Sequence, residues 1–494
     1  MTARGKRTDG TQVNAMDNKL ITPGAGQKDT FIVCRNSQGA EVRASPLRLS
    51  RYLVVFEVYN PYSILQLSEV LGDFKIVMND RMVYSGRAVV SNLVNTGIVL
   101  VCEATLDESW LDIDIFSPLN RRAKLRDEFL EFMQEWQKVH VVLPEFKVVV
   151  ADLQTLLLEL RRWMEQVELG VRSQPTADRT LMEHEVIEDL QEPMLPLIEP
   201  VFGKFEEICG RIEEKLRPAH STYVKRQLHP VVSCAPFFYR AFRKPLGYAG
   251  DYEMVNMMLR DPVEGGSMFA KMLNVFFLKT PPVVGHRNRI VYLLQRLREE
   301  TARRASVGKP IRIFNLGCGP AREIQEFIAQ DELSNHASFT LLDFNDETLA
   351  YTGGLLQELK TRHRRTTEIR MLKRSVHQIL KDSGKPGPET TPGSYDLVYC
   401  AGLFDYLSDR ICKRLMNIFY DLVAPGGLLV ATNVDASNPS RNWMEYVVEW
   451  HLVYRDKRTL ETLKPDAAAP GSFKVEAEAL GVNIFIEVRK PDHA

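Results

Sequence analysis

The segment that most constrains the fold of this chain is residues 311–321, with the sequence IRIFNLGCGPA. Its first half is almost continuously apolar, which is typical of a strand covered on both faces of a sheet. Gly317 and Gly319 follow, and the absence of their Cβ atoms permits a sharp turn and the close approach of a ligand. We predict a helix from about Arg322 to Ala329, whose free N–H groups point at this turn. The pattern indicates an α/β domain that can bind a nucleotide-like ligand.

Strand and helix patterns alternate after this segment, as expected for a doubly wound sheet. A second strand at 337–343 ends in Asp343, which lies 26 residues after Gly317 (343 − 317). An acid at the tip of the neighbouring strand can accept hydrogen bonds from ribose hydroxyl groups. The remaining strands are predicted at residues 368–372, 395–400, 428–433, 473–478 and 483–489, the last two as an antiparallel pair at the sheet edge.

The sequence before this domain predicts a multidomain protein. Residues 1–28 are polar and aperiodic, which predicts a disordered tail. Residues 29–119 carry short β-type runs between turn residues, as in a small β-barrel or sandwich. Residues 120–222 have helical periodicity and predict a helical linker or bundle. Residues 223–300, rich in aromatic residues and glycine, predict a helical lid over the α/β domain at 301–494.

An amphipathic stripe runs through the helical region, with apolar residues at three- and four-residue spacing over residues 153–167. This stripe packs either within the chain or in a seam between two copies, and the second case would make the protein a homodimer. Pro144, Pro193 and Pro196 are expected to break the region into several helices, because proline cannot donate the helical hydrogen bond.

The composition argues against several classes of protein. The net charge of −1 and the pI of about 6.8 give no global electrostatic attraction to nucleic acid or to an anionic membrane. The seven cysteines never have CxxC spacing, which argues against a metal site and a disulfide framework. No apolar run in the sequence is long enough to span a membrane, and the first residues lack the apolar core of a signal peptide. We therefore predict a cytoplasmic location.

The last domain carries four sequence features in a fixed order along the chain. They are NLGCGP at 315–320, the acid Asp343, YDLVYC at 395–400 and LVAPGG at 422–427. In this order they resemble the class I S-adenosylmethionine-dependent methyltransferases, which implies a Rossmann-like fold and S-adenosylmethionine as the cofactor. An NAD-binding domain of related architecture is the alternative, but its G-x-G-x-x-G pattern requires glycine where Arg322 stands.

The resemblance also implies which residues bind the cofactor. The glycine loop would line the methionine part, the acid would bind the ribose, and the turn after the third strand would meet the adenine edge. The end of the fourth strand would lie beside the sulfonium and the methyl acceptor. In this order the implied residues are Asn315, Gly317, Cys318, Gly319 and Pro320, then Asp343, then Ser375 and Val376, then Cys400 and Ala401.

Three further motifs narrow the resemblance: GYAGDYEM at 247–254, HRNR at 286–289 and NPSRNWMEY at 438–446. Together they look like bacterial proteins for the synthesis of 3-hydroxypalmitic acid methyl ester, over about residues 220–494. Those quorum-signal enzymes methylate the carboxylate of a hydroxy fatty acid. A carboxylate is already ionised at neutral pH, so no strong general base is required. A methyltransferase that acts on a protein or another metabolite is the second hypothesis.

The candidates for binding such an acceptor are polar or cationic, because a cationic fork can pair with a carboxylate. They are Tyr248, His286, Arg287 and Arg441, with Asp251 and Asp405 as further polar candidates. Large side chains that could line a channel for an acyl tail are Phe237, Phe238, Phe404, Trp443 and Trp450. All of these residue types also have structural roles, as core aromatics, ion-pair partners or helix caps.

The β region at 29–119 has its own candidate site. It contains Arg43, Arg48 and Arg51 and the turn NLVNTG at 92–97, in which Val94 stands where a serine is expected. These features resemble PilZ domains, which bind cyclic di-GMP through an arginine-rich segment and a [D/N]-x-S-x-x-G turn; guanidinium forks suit phosphate oxygens. The resemblance gives a third hypothesis, a regulator that responds to cyclic di-GMP and uses the methyltransferase-like domain as a sensor or scaffold. The alternative is a barrel that serves packing or dimerisation.

Overall fold

The computed structural model describes residues 30–50, 52–58, 65–78, 81–95, 99–107, 126, 130, 133, 141–382 and 391–492. The predicted tail at 1–28 lies outside these residues, as do Arg51, Gly97 and most of the predicted helical residues before 141. Within the described part of the chain, no helix is both long and apolar enough to cross a lipid bilayer.

The N-terminal region is a closed antiparallel barrel, which confirms the predicted β domain. Its strands are β1 (Thr30–Arg35), β2 (Glu41–Ser50), β3 (Leu53–Val58), β4 (Val70–Met78), β5 (Arg81–Asn95) and β6 (Leu100–Leu106). They follow the order β1-β2-β3-β6-β5-β4, and β1 closes the barrel by pairing with β4. Alternate side chains point inward, among them Phe56 and Phe74, whose ring centroids lie 5.9 Å apart.

A helical region follows the barrel. Its helices are α1 (Pro144–Arg172), α2 (Thr176–Gly210), α3 (Arg217–Val232), α4 (Pro236–Arg243), α5 (Tyr252–Leu259), α6 (Met268–Leu278) and α7 (Pro281–Ala305). The stripe at 153–167 packs inside the chain, with Leu153, Leu157 and Met164 buried in a core shared with α4, α5 and α6. The predicted bundle and lid therefore share one core. Residues 222 and 223 lie within α3, and 300 and 301 lie within α7.

The prediction that Pro193 and Pro196 break the helical region was wrong. Both lie inside the continuous helix α2, as does Pro200. All three prolines lie on the exposed face of α2, while Met194 and Ile198 face the core. Because the carbonyls freed by these prolines lie on the solvent side, water can satisfy them and the helix continues. Pro144 is at the first position of α1, where proline is favoured.

The last domain is a doubly wound seven-stranded sheet, as predicted. Its strands are β7 (Ile311–Leu316), β8 (Ala337–Asp343), β9 (Glu368–Lys373), β10 (Tyr395–Cys400), β11 (Val423–Val434), β12 (Phe473–Ala477) and β13 (Asn483–Arg489). The order across the sheet is β12-β13-β11-β10-β7-β8-β9. The strands from β11 to β9 are parallel, and β13 runs antiparallel to both β11 and β12.

Helices cover both faces of this sheet and complete the domain. They are α8 (Arg322–Gln330), α9 (Asp346–Arg362), α10 (Val376–Asp382), α11 (Asp409–Leu422) and, after the short helix α12 (Arg441–Tyr446), α13 (Lys457–Glu461). Helix α12 itself packs on α2 and α3 of the helical region. All six residues of β10 are buried, as expected for a central parallel strand. This arrangement brings the carboxyl ends of five parallel strands to one edge of the sheet.

The barrel, the helical region and the α/β domain meet around one buried carboxylate, Glu449. Its side chain pairs with Arg87 of β5 at 3.1 Å and with Lys225 of α3. Burial alone would raise the pKa of Glu449, but the cations Lys225, Arg87 and Lys244 outweigh it and hold the pKa far below its ordinary value. Burial also lowers the pKa of Lys244 to about 7. The three regions are thus joined by a buried charge cluster.

Candidate functional site

A cavity of about 250 Å³ lies at the carboxyl ends of the parallel strands. Residues directly after β7, β8, β9 and β10, and Val434 at the end of β11, line it. Open α/β sheets bind their ligands at this edge. We call the part formed by residues 315–323, 343–344 and 374–376 the glycine-loop half of the cavity. The part formed by α4, α5, α6, α7, the barrel and residues 401–452 is the aromatic half.

The glycine loop is held in a conformation that favours glycine. The N–H groups of Gly317 and Cys318 donate to the carbonyl of Leu342 at 2.8 and 3.0 Å. Gly317 has φ +72° and Gly319 has φ +51°, both in the left-handed region. A Cβ atom at Gly319 would meet no atom of the described residues within 4 Å. Gly319 therefore faces open space, as the close approach of a ligand requires.

Asp343 is fixed beside this loop. One carboxylate oxygen accepts the N–H of Gly319 at 3.1 Å, and the other accepts the N–H of Asn345 at 3.0 Å. Burial raises the pKa of Asp343, and these backbone N–H groups partly offset the effect. Each oxygen keeps a lone pair that can accept a hydroxyl group of a ligand.

The other predicted cofactor-binding residues divide into two groups. Asn315, Cys318, Pro320, Ser375, Val376 and Ala401 line the cavity. Cys400 does not line it, because its side chain is buried in the apolar core beneath the sheet edge. Ser375 also caps α10: its hydroxyl accepts the N–H of Gln378, whose side chain accepts the N–H of Ser375.

The side-chain oxygen of Asn315 indicates which kind of cofactor the cavity can bind. This oxygen is buried and has no hydrogen-bond partner in the described part of the chain. Such an orphaned acceptor is costly unless a donor reaches it. The ammonium group of an amino-acid ligand in the cavity would be such a donor. The residues of the glycine-loop half therefore fit a ligand with both a ribose and an amino-acid part.

Tyr248 was predicted to bind the acceptor, but its side chain lies against the glycine-loop half of the cavity. Its ring packs on Phe344 with centroids 5.0 Å apart, and its hydroxyl is 3.4 Å from the Thr348 hydroxyl. Burial, and then the charge of Asp343, raise the pKa of Tyr248 well above its ordinary value. A neutral phenol here can cover a bound nucleoside but is a poor base.

Of the three predicted cationic candidates, only His286 lines the cavity. Arg287 donates its Nε–H to the carbonyl of Met258 at 2.6 Å. Arg441 pairs with Glu445 at 2.9 Å and lies over the ring of Tyr454. Arg289, which was not among the predicted acceptor-binding residues, lines the cavity one helical turn after His286. The three-residue spacing of an α-helix could have indicated it.

The aromatic half contains most of the predicted channel. Phe237, Phe238, Trp443 and Trp450 line it, whereas Phe404 is buried in the core of the α/β domain. Residues that were not predicted complete it: Met258, Phe277, Val283 and Tyr406. The Trp450 indole donates to the Tyr406 hydroxyl at 2.9 Å. The result is an apolar region that could take a hydrocarbon chain.

The two acidic candidates have structural partners. Asp251 caps α5 by accepting the N–H of Met254 at 2.8 Å, and it pairs with Arg240 at 3.0 Å. Asp405 lines the cavity and accepts the N–H of Val434 at 2.6 Å. Burial raises the pKa of Asp405, and its hydrogen bond to Val434 opposes this.

The barrel also reaches the cavity, which the sequence did not indicate. Gln38, Gln66 and Leu67 belong to two of its loops and line the aromatic half. The buried carboxylate of Glu69 ties these loops together, accepting the N–H groups of Ser37 and Gln66 at 2.7 Å each. By contrast, Arg43 and Arg48 are exposed on β2 and do not line this cavity, so cyclic di-GMP binding stays a prediction.

The fold and the site define a doubly wound α/β protein with a cavity of about 250 Å³ at the carboxyl ends of its parallel strands. No protein-family model matches the sequence, and no curated protein matches it. A solved structure of a "possible exported protein" from Bordetella parapertussis is 17% identical, with a TM-score of 0.39 over 51% of this chain and 86% of that one.

Two further similar structures are methyltransferases. Magnesium protoporphyrin IX methyltransferase from Synechocystis PCC 6803 is 10% identical, with a TM-score of 0.33 over 55% of this chain and 99% of that one. The N-methyltransferase NodS from Bradyrhizobium japonicum is 16% identical, with a TM-score of 0.29 over 49% of this chain and 98% of that one. These TM-scores lie below 0.5, so the likenesses carry no conclusion about activity.

Proposed function

We propose that this protein is an S-adenosylmethionine-dependent methyltransferase that methylates the carboxylate of a small or fatty acid. The observation that carries the proposal is the contact between the Gly319 N–H and Asp343, beside open space at the carboxyl edge of the sheet. This arrangement suits a nucleoside with its ribose at the acid. The cavity then continues from the glycine loop into an apolar region.

The residues of the glycine-loop half would hold the cofactor. Asp343 accepts the ribose hydroxyl groups, the Asn315 oxygen accepts the ammonium group, and Tyr248 covers the nucleoside. When bound, S-adenosylmethionine supplies a methyl group that passes from its sulfonium to a carboxylate oxygen as the carbon–sulfur bond breaks, which leaves a methyl ester and S-adenosylhomocysteine. The chain itself contributes orientation and the exclusion of water.

The aromatic half would hold the acceptor. Phe238, Phe277 and Trp443 present apolar surface to an acyl chain, so the carboxylate end is left toward the glycine loop. The acceptor oxygen is already ionised at neutral pH, so the site needs no proton acceptor. Asp405, tied to the backbone of Val434, is then a structural residue and not a base.

Methyl transfer can be measured with S-adenosylmethionine that carries a labelled methyl group. The full chain is incubated with 3-hydroxy fatty acids of several lengths, and the products are extracted and separated. We expect a labelled, base-labile methyl ester that an Asp343→Ala variant does not form. A bacterial lysate as acceptor provides a second arm. Label in another compound only would support a different acceptor, and no label in either arm would overturn the proposal.

A further inference from the structure

We propose that Arg289 binds a carboxylate inside the cavity and that His286 holds its guanidinium in place. This inference rests on the proposed function, because both carboxylates that could occupy the site belong to that reaction. One is the methionine carboxylate of the cofactor, and the other is the carboxylate of the acceptor. The chemistry of recognition is the same for both.

Arg289 differs from the arginines that follow it on α7. Arg296 pairs with Glu487, Arg298 with Asp331, and Arg303 with Glu300. Arg289 is only 9% exposed, yet no carboxylate oxygen of the described residues lies within 4.0 Å of its guanidinium nitrogens. Asp405 makes no ion pair with Arg289, and its charge affects the pKa of Arg289 only from a longer distance. A buried arginine thus faces the cavity without an ion pair.

An arginine in this position keeps its charge, because the guanidinium group does not lose its proton in proteins. A buried charge without a partner is expensive, and the cost is removed when an anion enters the cavity. A planar fork of N–H donors matches the two oxygens of a carboxylate better than a point charge does. The side chain is therefore arranged for a ligand and not for the stability of the fold.

The guanidinium lies against the backbone that follows β10. Gly402 has φ +77°, and a Cβ atom there would come within 3.0 Å of Nη2 and 3.1 Å of Nη1 of Arg289. The missing side chain lets the guanidinium lie flat at the edge where the two halves of the cavity meet. A carboxylate bound there would lie between the cofactor and the acceptor regions.

His286 acts on Arg289 and is a positioning residue. Nη2 of Arg289 lies 2.9 Å from Nδ1 and 3.3 Å from Nε2 of the His286 ring. Burial, and then the charges of Arg289 and Arg287, hold the pKa of His286 well below its ordinary value. The imidazole is therefore neutral at pH 7 and can accept the N–H of Arg289. It fixes one side of the fork and leaves the remaining N–H groups to the ligand.

The test compares Arg289→Met and Arg289→Lys with the control Arg298→Met, which removes a half-buried arginine of the same helix that pairs with Asp331. Three probes are titrated into each full-length protein by calorimetry: S-adenosylhomocysteine, 5′-methylthioadenosine, which lacks the amino-acid part, and 3-hydroxypalmitate with S-adenosylhomocysteine present. Arg289→Met is expected to weaken one carboxylate probe at least tenfold and to leave methylthioadenosine binding unchanged. Arg289→Lys should lie between it and the unsubstituted protein.

The pattern of losses identifies the source of the carboxylate. A loss for S-adenosylhomocysteine assigns Arg289 to the cofactor, and a loss for 3-hydroxypalmitate alone assigns it to the acceptor. Equal binding of all three probes, or an equal loss that includes methylthioadenosine, would overturn the inference. The readout is binding and not turnover, so failure of methyl transfer in a protein that binds S-adenosylhomocysteine would remove the proposed function without removing this result. A melting temperature for Arg289→Met no lower than that of Arg298→Met would agree with a ligand-binding role.

Discussion

The two halves of the cavity are built in different ways. The glycine-loop half comes from one domain, in which Gly319 and Asp343 are joined by a backbone hydrogen bond across neighbouring strands. The aromatic half is assembled from segments far apart in the chain: barrel loops, helices α4 to α7 and residues 401–452. The first half depends on local backbone geometry, and the second depends on how the regions pack together. Substitutions in the glycine-loop half should therefore change cofactor binding, and substitutions in the aromatic half should change acceptor binding.

The largest effect is expected from the charge cluster that joins the three regions. Glu449→Gln would leave Lys225, Arg87 and Lys244 without their shared buried carboxylate, and breaking such a cluster costs about 3–5 kcal/mol. Urea unfolding of the full chain measures this loss. The control Glu165→Gln removes one exposed ion pair with Arg161 and should cost under about 0.5 kcal/mol. Equal losses for the two variants would show that the cluster does not hold the regions together.

The glycine-loop half is tested by Asp343→Ala. Loss of a charged acceptor for ribose hydroxyl groups should weaken S-adenosylhomocysteine binding by about 2–3 kcal/mol, on the order of 30- to 150-fold. Calorimetry gives the dissociation constant. Asp346→Ala, an exposed acid three residues later that pairs with Lys373, is the matched control and should leave binding unchanged. Tight binding by Asp343→Ala would contradict the assignment of this half.

A smaller effect is expected from the barrel. Gln66 lines the aromatic half, and Gln66→Ala should weaken 3-hydroxypalmitate binding by about threefold to tenfold, the worth of one neutral hydrogen bond. S-adenosylhomocysteine binding should not change. Lys75→Ala, on the outer face of β4, is the control in the same barrel. If Gln66→Ala alters cofactor binding instead, the division of the cavity into two halves is wrong.

The pH dependence of stability should report on a contact between the barrel and the α/β domain, the one made by His451. The backbone N–H of His451 donates to the Ser68 hydroxyl of the barrel, and burial lowers the pKa of His451 to about 4. Because this pKa lies below the unfolded value, the neutral form stabilises the fold above about pH 6.5, and the stability is lost as the pH falls toward 4.

Urea unfolding at pH 7 and pH 5 measures this dependence. Between these values His451→Gln should lose about 2 kcal/mol less stability than the unsubstituted protein. An unchanged slope for His451→Gln would mean that this residue does not titrate on unfolding.

The sequence could predict the glycine-loop half because its signals are local. Gly317 and Gly319 mark positive φ values, and Asp343 marks the end of the next strand.

The prolines of α2 misled, because the prediction took proline as a helix breaker wherever it stands. The apolar residues Met194 and Ile198 mark the buried face of α2, and the prolines lie off that face. His286 lines the cavity, as its predicted role requires. Arg287 was predicted to bind the acceptor and Arg289 was not, although residues three apart, such as His286 and Arg289, share a helical face.

The barrel residues of the aromatic half could not be predicted. Gln38 and Gln66 belong to turns with no motif. They reach the cavity only because Glu69 ties their loops together and the barrel packs on the segment between α4 and α5. The backbone N–H of Val70 donates to Gly247 at 2.7 Å across this contact. Contacts between regions depend on surface complementarity, which has no periodic signature in the sequence.

The central claim is that the glycine-loop half binds S-adenosylmethionine and not a nicotinamide dinucleotide. Calorimetric titration of the full chain with S-adenosylhomocysteine, followed by competition with NAD, tests it most directly. We predict one S-adenosylhomocysteine per chain and no displacement by NAD. Binding of NAD without binding of S-adenosylhomocysteine would contradict the account.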